Sequence, residues 1–329
     1  MQSSLKSSMW TNYKFVDYLK VKDNECSNLP DGVQISTMCA SAKNIDGSGG
    51  LCTDINLDNI YDYMKCDSDD ILTIKKSDLL KKTIIPEKKK KRRTSNKKKK
   101  AGKKKVSFFF HQITIVVRVY EGEYDDLNNV KKINMKIFKN GSIQISGIKK
   151  LEYANRAINK LIYKLKQIKA ILNDDGIPED ILFVKDPKKV SINNFKLDMI
   201  NSNYQVNMQI NRDKLYELLL RRGMNVTFEK CIRACVILKF VPKNPVENKK
   251  ISIFIFQKGN IIITGAKSRE HVIESYNHIN NILITYKDEI EKKNEEDEEN
   301  EIMACYKSVL AENSHRLEEF DISSETLDD

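Results

Sequence analysis

Two stretches of this chain spell nearly the same sequence. Ile137-Phe138-Lys139-Asn140-Gly141-Ser142-Ile143-Gln144-Ile145-Ser146-Gly147-Ile148-Lys149 recurs as Ile255-Phe256-Gln257-Lys258-Gly259-Asn260-Ile261-Ile262-Ile263-Thr264-Gly265-Ala266-Lys267. Seven of 13 aligned positions are identical, and both glycine pairs lie 118 residues apart. A helix-like segment follows each copy. A duplicated strand–turn–strand–helix unit restricts the chain to a pseudo-two-fold fold.

At 329 residues, 40% hydrophobic and 31% charged, the chain can bury a substantial core. No apolar run approaches the roughly 20 residues of a membrane helix, and Met1-Gln2-Ser3-Ser4-Leu5-Lys6 has no apolar signal core. Seven scattered cysteines point to reduced thiols and an intracellular setting. Cys231 and Cys235 lack a second ligand pair, so buried strand cysteines are the expectation and zinc is not.

Charge is unevenly spread over the net +11. Residues 81–105 carry +14 and residues 288–329 carry −12, which leaves +9 on the remainder. Lys88–Arg93, Lys97–Lys100 and Lys103–Lys105 form a block that cannot pack. It reads as a solvated insertion, a nuclear-import signal or a sequence-independent phosphate clamp, and these roles are compatible. The acidic run Glu295–Glu299 reads as a solubilising tail.

Strand signals cluster at Phe108–Tyr120 and Cys235–Val241, and hairpins follow at 133–148 and 251–266. Gly141 and Gly259 supply the positive φ their turns need. Glu152–Leu172 and Glu270–Ile290 have helical apolar spacing, and shorter helices fall at Leu57–Met64 and Arg212–Arg221. Extended segments are expected at 32–40 and 192–210. Lys160, Lys164, Lys166 and Lys169 are expected to give the first long helix a basic outer face. The organisation is an N-terminal extension (1–30), a first repeat (31–172) with a basic insertion at about 81–105, a linker (173–190), a second repeat (191–290) and an acidic tail (291–329).

One strand face is more apolar than a solvated face should be. With Ile251, Ile253 and Ile255 turned to the helices, Phe254 and Phe256 point the other way. On the partner strand Ile261 and Ile263 face the helices, while Ile262 and Thr264 join the phenylalanines. Such a face needs an apolar partner or a covering layer, which residues 1–30 or the acidic tail would have to supply. A DNA minor groove is one such partner, since it has few donors and accepts apolar wedges between base steps. Another protein is the alternative.

The two hairpins, with Thr264-Gly265-Ala266-Lys267 in the second copy and Ser146-Gly147-Ile148-Lys149 in the first, resemble the TATA-box-binding protein family. The resemblance covers about 30–75 and 106–290. Divergence, with abundant Lys, Asn and Ile, resembles the TATA-binding-like proteins of large nucleocytoplasmic DNA viruses. It implies an α+β fold: a pseudo-two-fold saddle with a curved antiparallel sheet of about ten strands and helices on the convex side. By carry-over Phe138 and Phe256 are the kinking wedges, with Phe254 on the same face. Ser146 and Thr264 lie near the central base edges, beside Gln144 and Ile262. Arg118, Lys239, Lys149 and Lys267 reach phosphates.

Several positions depart from the family. The second phenylalanine of each half falls on Gln112, with Phe108 and Phe110 nearby, and on Arg233, with Phe228 upstream. The central asparagine pair falls near Val33 and Leu197, and Lys136 replaces an apolar residue. The implied partners are double-stranded DNA and transcription factors or RNA polymerase subunits, with no membrane, no small-molecule substrate, no cofactor and no metal. The implied location is the host nucleus, a cytoplasmic viral factory or the virion. His111, His271, His278 and His315 form no metal spacing, His271 and His278 being a helix-surface pair, and no phosphate loop or nucleophile elbow is present, so a non-enzyme is expected. The alternatives are an interaction scaffold on the same fold and a sequence-independent architectural nucleic-acid-binding protein.

Overall fold

The computed structural model describes residues 15–21, 26, 28–45, 47–83, 111–120, 130–173, 175–243, 250–292 and 303–309. The lysine block, Phe108, Phe110, His315 and the run Glu295–Glu299 lie outside them. The chain forms two compact units, 1–204 with 241–252 and 262–276, and 205–240 with 253–261 and 277–329. The first runs β1 (Gln34–Ala42), α1 (Leu57–Tyr63), β2 (Ile71–Lys76), β3 (Leu79–Lys82), β4 (Gln112–Tyr120), β5 (Val130–Phe138), β6 (Ile143–Ile148), α2 (Leu151–Leu165), β7 (Ile168–Leu172), β8 (Pro178–Leu182) and β9 (Phe195–Gln205). The second holds α3 (Arg212–Arg221), β10 (Val226–Thr227), β11 (Cys235–Phe240) and α5 (Lys287–Ile290). Residues of β12 (Ile251–Phe256), β13 (Asn260–Ala266) and α4 (Arg269–Thr285) fall in both, as does β9 through its last residue, Gln205. Among the described residues, the first unit's strands hydrogen-bond in the order β13–β9–β1–β6–β5–β4–β2–β3, with β7 paired to β8 apart from them, and the second unit's in the order β10–β11–β12, against the sheet of about ten strands that the resemblance implied.

The first unit's core follows from strict alternation along its strands. Ile113, Ile115, Val117 and Val119 of β4 are fully buried, as are Ile133, Met135 and Ile137 of β5. Ala154, Ala157, Ile158, Leu161, Ile162 and Leu165 of α2 cover that side. Each buried aliphatic side chain contributes roughly 1.5–3 kcal/mol. The period of two fixes the register, because a one-residue slip would turn the whole isoleucine set to solvent.

The repeat extends into backbone hydrogen bonding. In the first unit Leu51 N–H donates to the Gly141 carbonyl and Ile55 N–H to the Lys139 carbonyl, both at 2.8 Å. In the second, Val206 N–H donates to Gly259 at 2.9 Å and Ile210 N–H to Gln257 at 2.8 Å. Each hairpin turn is thus bonded to the segment leading into a short helix. Those helices are themselves duplicated, with asparagine N-caps: Asn56 accepts from Asn59 N–H, and Asn211 from Asp213 and Lys214 N–H. Ile55-Asn56 and Ile210-Asn211 are offset by 155 residues against 118 for the hairpins, so the first repeat is longer by 37 residues.

The first long helix ends at Leu165, and 168–172 is a strand paired with 178–182, with Ile168 and Leu172 exposed. Helical spacing through Leu172 was coincidental. The chain turns at Asn173, whose Oδ1 accepts from Asp175 and Ile177 N–H, and Gly176 takes φ +75.

The basic outer face of α2 is also absent. Lys160 is buried against Asp70 at 3.0 Å, and Lys164 lies 3.2 Å from Asp67 and 3.1 Å from Asp70. Burial opposes the charge on Lys164, but the two aspartates outweigh it and raise its pKa. Lastly, Cys235 is buried as expected, whereas Cys231 is exposed in the turn before β11.

Residues 15–21 lie on the helix side of the first unit. Val16 and Tyr18 N–H donate to the side-chain carbonyls of Asn159 and Asn155 at 3.0 and 3.1 Å. Both amides donate back to the Val16 carbonyl, and Leu19 is buried.

The two histidines of α4 are packed where a surface pair was expected. His271 is buried and its Nδ1 accepts from Lys267 N–H at 3.4 Å. His278 stacks on Phe240 at 4.7 Å, and burial lowers its pKa below 6.5. Below that value the unfolded chain binds the extra proton more readily, so stability is present above pH 6.5 and is lost as pH falls. Urea midpoints are expected to drop from pH 7 to 5, and His278→Phe to flatten that drop. An unchanged slope would contradict the assignment.

Candidate nucleic-acid interface

The face of the first-unit strands turned from the helices is built row by row from the register. One row across the strands reads Lys75, Thr114, Lys136, Gln144, Ser41 and Lys196. The three lysines are well spaced along it, and Lys75, Lys136 and Lys196 are all exposed. A neighbouring row reads Val116, Asn134, Ser146, Cys39 and Met199. Thr264 of β13 shares this face: its hydroxyl donates to Asn201 Oδ1, and Met199 Sδ is 3.7 Å away. Ile262 lies two residues earlier and is half-buried. The first-unit face is thus largely polar and basic.

Phe138 closes β5 beside Gln112, and both are half-buried. Its N–H donates to the Ser142 carbonyl at 2.9 Å, and its carbonyl accepts from Gly141 N–H at 2.9 Å, so the tight turn fixes where the ring sits. In the second unit Phe254 and Phe256 are half-buried, alternating with fully buried Ile253 and Ile255. Gly259 N–H donates to the Phe256 carbonyl at 3.0 Å, repeating the first hairpin's geometry.

The expected phosphate ligands stand in different settings. Lys149 is exposed between β6 and α2, Lys239 is exposed on β11, and Lys267 is half-buried. Arg118 is engaged within its own unit: Nη1 donates to the Ser68 carbonyl at 2.7 Å, and the guanidinium sits 5.1 Å above the Tyr120 ring. Phe228 packs on α3, with its ring 6.1 Å from Tyr216 and under Arg212. Arg233 is exposed in the loop before β11. Leu197 pairs with buried Ala40, on the helix side of β9. Beside Lys196, the polar residues of β9 on the open face include Asp198, Asn201 and Asn203. Their strand was read as extended, but its bulges hid which residues share a face. Among the described residues no group of three or more His, Cys, Asp or Glu is placed to hold a metal ion.

Among the described residues, antiparallel strands covered by helices on one side, with a phenylalanine at each duplicated hairpin end, make an α+β arrangement. Residues 194–286 match the model for transcription factor TFIID, or TATA-binding protein. A "TATA-box-binding protein-like" protein of Acanthamoeba polyphaga mimivirus is 35% identical over 191 residues, 54% of this chain. The chain spans about half, 48%, of that relative's length. Among solved structures, Methanococcus jannaschii TBP aligns with a TM-score of 0.40 and 18% identity, over 78% of this chain and 98% of that one.

Proposed function

We propose that this chain is a viral transcription initiation factor that docks the open face of its sheet in an A·T-rich minor groove, bends the duplex and recruits polymerase machinery. The observation that carries this reading is the duplicated hairpin end. In each repeat a half-buried phenylalanine is fixed by a glycine turn at the edge of a face the helices leave open. Apolar wedges of that kind unstack base steps and kink DNA by about 20–90°. The exposed lysines of the first unit supply sequence-independent attraction to phosphates. Such a protein works where viral promoters are, in the host nucleus or a cytoplasmic factory, and it needs no catalytic group.

Phe256→Ala is expected to keep the fold and reduce the bend measured by fluorescence energy transfer across an A·T-rich duplex. Deleting 88–105 is expected to leave the bend in place and to make the slope of log affinity against log salt shallower, by about 0.9 for each phosphate no longer neutralised. A loop-deleted protein without DNA affinity would favour the interaction scaffold. Equal affinity for A·T-rich and G·C-rich duplexes, without bending, would favour the architectural binder.

A further inference from the structure

Asp198 is an acid on a face whose rows otherwise hold lysine, amide, hydroxyl, thiol, thioether and valine side chains. The register of β9 against β1 shifts between Cys39, opposite Met199, and Ala40, opposite Leu197, which leaves Asp198 as the extra residue of a bulge. A bulge re-aims a side chain. Here it turns Asp198 to the open face, where its Oδ1 accepts from the Ser41 hydroxyl at 2.9 Å. Ser41 stands opposite Gln144, and Cys39 opposite Ser146, which fixes the side of the sheet concerned. The carboxylate is exposed, as is Gln144. Its charge, after burial, also helps raise the pKa of Cys39, which places the two groups together.

We infer that Asp198 is a specificity-determining acceptor for the exocyclic amino group of guanine, so that the bound site takes a G·C pair where this residue meets the groove. The inference rests on the minor-groove reading above. The floor of the groove at an A·T pair offers only acceptors, adenine N3 and thymine O2, while a G·C pair adds one donor, the guanine 2-amino group. An ionised carboxylate has only acceptors to offer. Against A·T it faces other acceptors and loses its water without compensation. Against guanine it gains a charge-assisted hydrogen bond. The Ser41 hydroxyl bonds the carboxylate and limits its rotation, and a carboxylate has acceptor sites beyond the one Ser41 uses.

The test uses the full chain and an A·T-rich duplex in which each central pair is replaced in turn by G·C or by inosine·C. Inosine lacks only the 2-amino group, so the comparison isolates that donor. At one position, or two adjacent ones, the wild type is expected to bind G·C about tenfold more tightly than inosine·C. Asp198→Asn can still accept from Ser41 but also offers an amide donor, and it is expected to abolish or reverse that preference. Circular dichroism verifies that the variant folds. The inference is overturned if the wild type binds G·C no more tightly than inosine·C at every position, or if Asp198→Asn keeps the preference. Saturable binding without any such preference overturns this inference alone. No saturable binding to any duplex overturns the minor-groove reading and this inference with it.

Discussion

Asp70→Ala is expected to destabilise the protein by about 3–5 kcal/mol, the typical cost of removing one partner from a buried ion pair. The Asp70 side chain is 6% exposed and faces Lys160, 8% exposed, and Lys164, 14% exposed. Truncation leaves two ammonium groups in a partly desolvated site with Asp67 as the remaining carboxylate. Lys160 retains its hydrogen bond to the Asp69 carbonyl at 2.9 Å, but a neutral carbonyl does not balance the charge. Against a total stability of about 5–15 kcal/mol, this loss threatens the native state at moderate temperature. Asp69→Ala is the control, because the Asp69 side chain is exposed and Lys160 uses only its backbone. That control is expected to stay within about 0.5 kcal/mol of wild type. Urea midpoints followed by circular dichroism check both, and a loss under about 1 kcal/mol for Asp70→Ala, the order of an exposed pair, would rule out the buried-network account.

Gly259→Ala is expected to cost about 3 kcal/mol or more, through two additive causes. Gly259 sits at φ +78, where an L-residue pays roughly 1–2 kcal/mol. A Cβ there would also stand 2.3 Å from the Val206 carbonyl oxygen and 2.8 Å from that of Met208, both backbone atoms. Moving them breaks the Val206 N–H bond to Gly259 that anchors the turn. Gly223 separates the causes: it has φ +67 but nothing within 4 Å of an added Cβ. Gly223→Ala should therefore show the conformational cost alone, about 1 kcal/mol. Equal denaturant midpoints for the two variants would mean the collision is relieved at no cost. Gly141, at φ +81 with its Cβ position 2.3 Å from the Thr53 carbonyl, is expected to behave like Gly259.

The repeat made the essentials of both hairpins readable. Alternation placed Ile253 and Ile255 in the core and Phe254 and Phe256 outside it, and the burial along β12 follows that order. A second signal was present and went unread: Ile55-Asn56-x-Asp58 and Ile210-Asn211-x-Asp213 mark the same capped helix in each repeat. Its offset differs from that of the hairpins, so a single-period comparison passes over it.

Periodicity reports a residue's angle around its own element and nothing about what comes to meet it. Lys160 and Lys164 read as solvated because their partners, Asp67 and Asp70, are about ninety residues earlier in the chain. Residues 168–172 read as helix because a strand partner at 178–182 leaves no trace in a helical pattern. The chain's own letters determined the duplication, the class of fold, the glycine turns and the buried isoleucine ladder, since these depend on local spacing and backbone conformation. Only the tertiary structure decided the buried charge network, the covering of α2 by residues 15–21 and the bulge that turns Asp198 to the open face. Each depends on long-range pairing, whose energy comes from groups that meet only after the chain has folded.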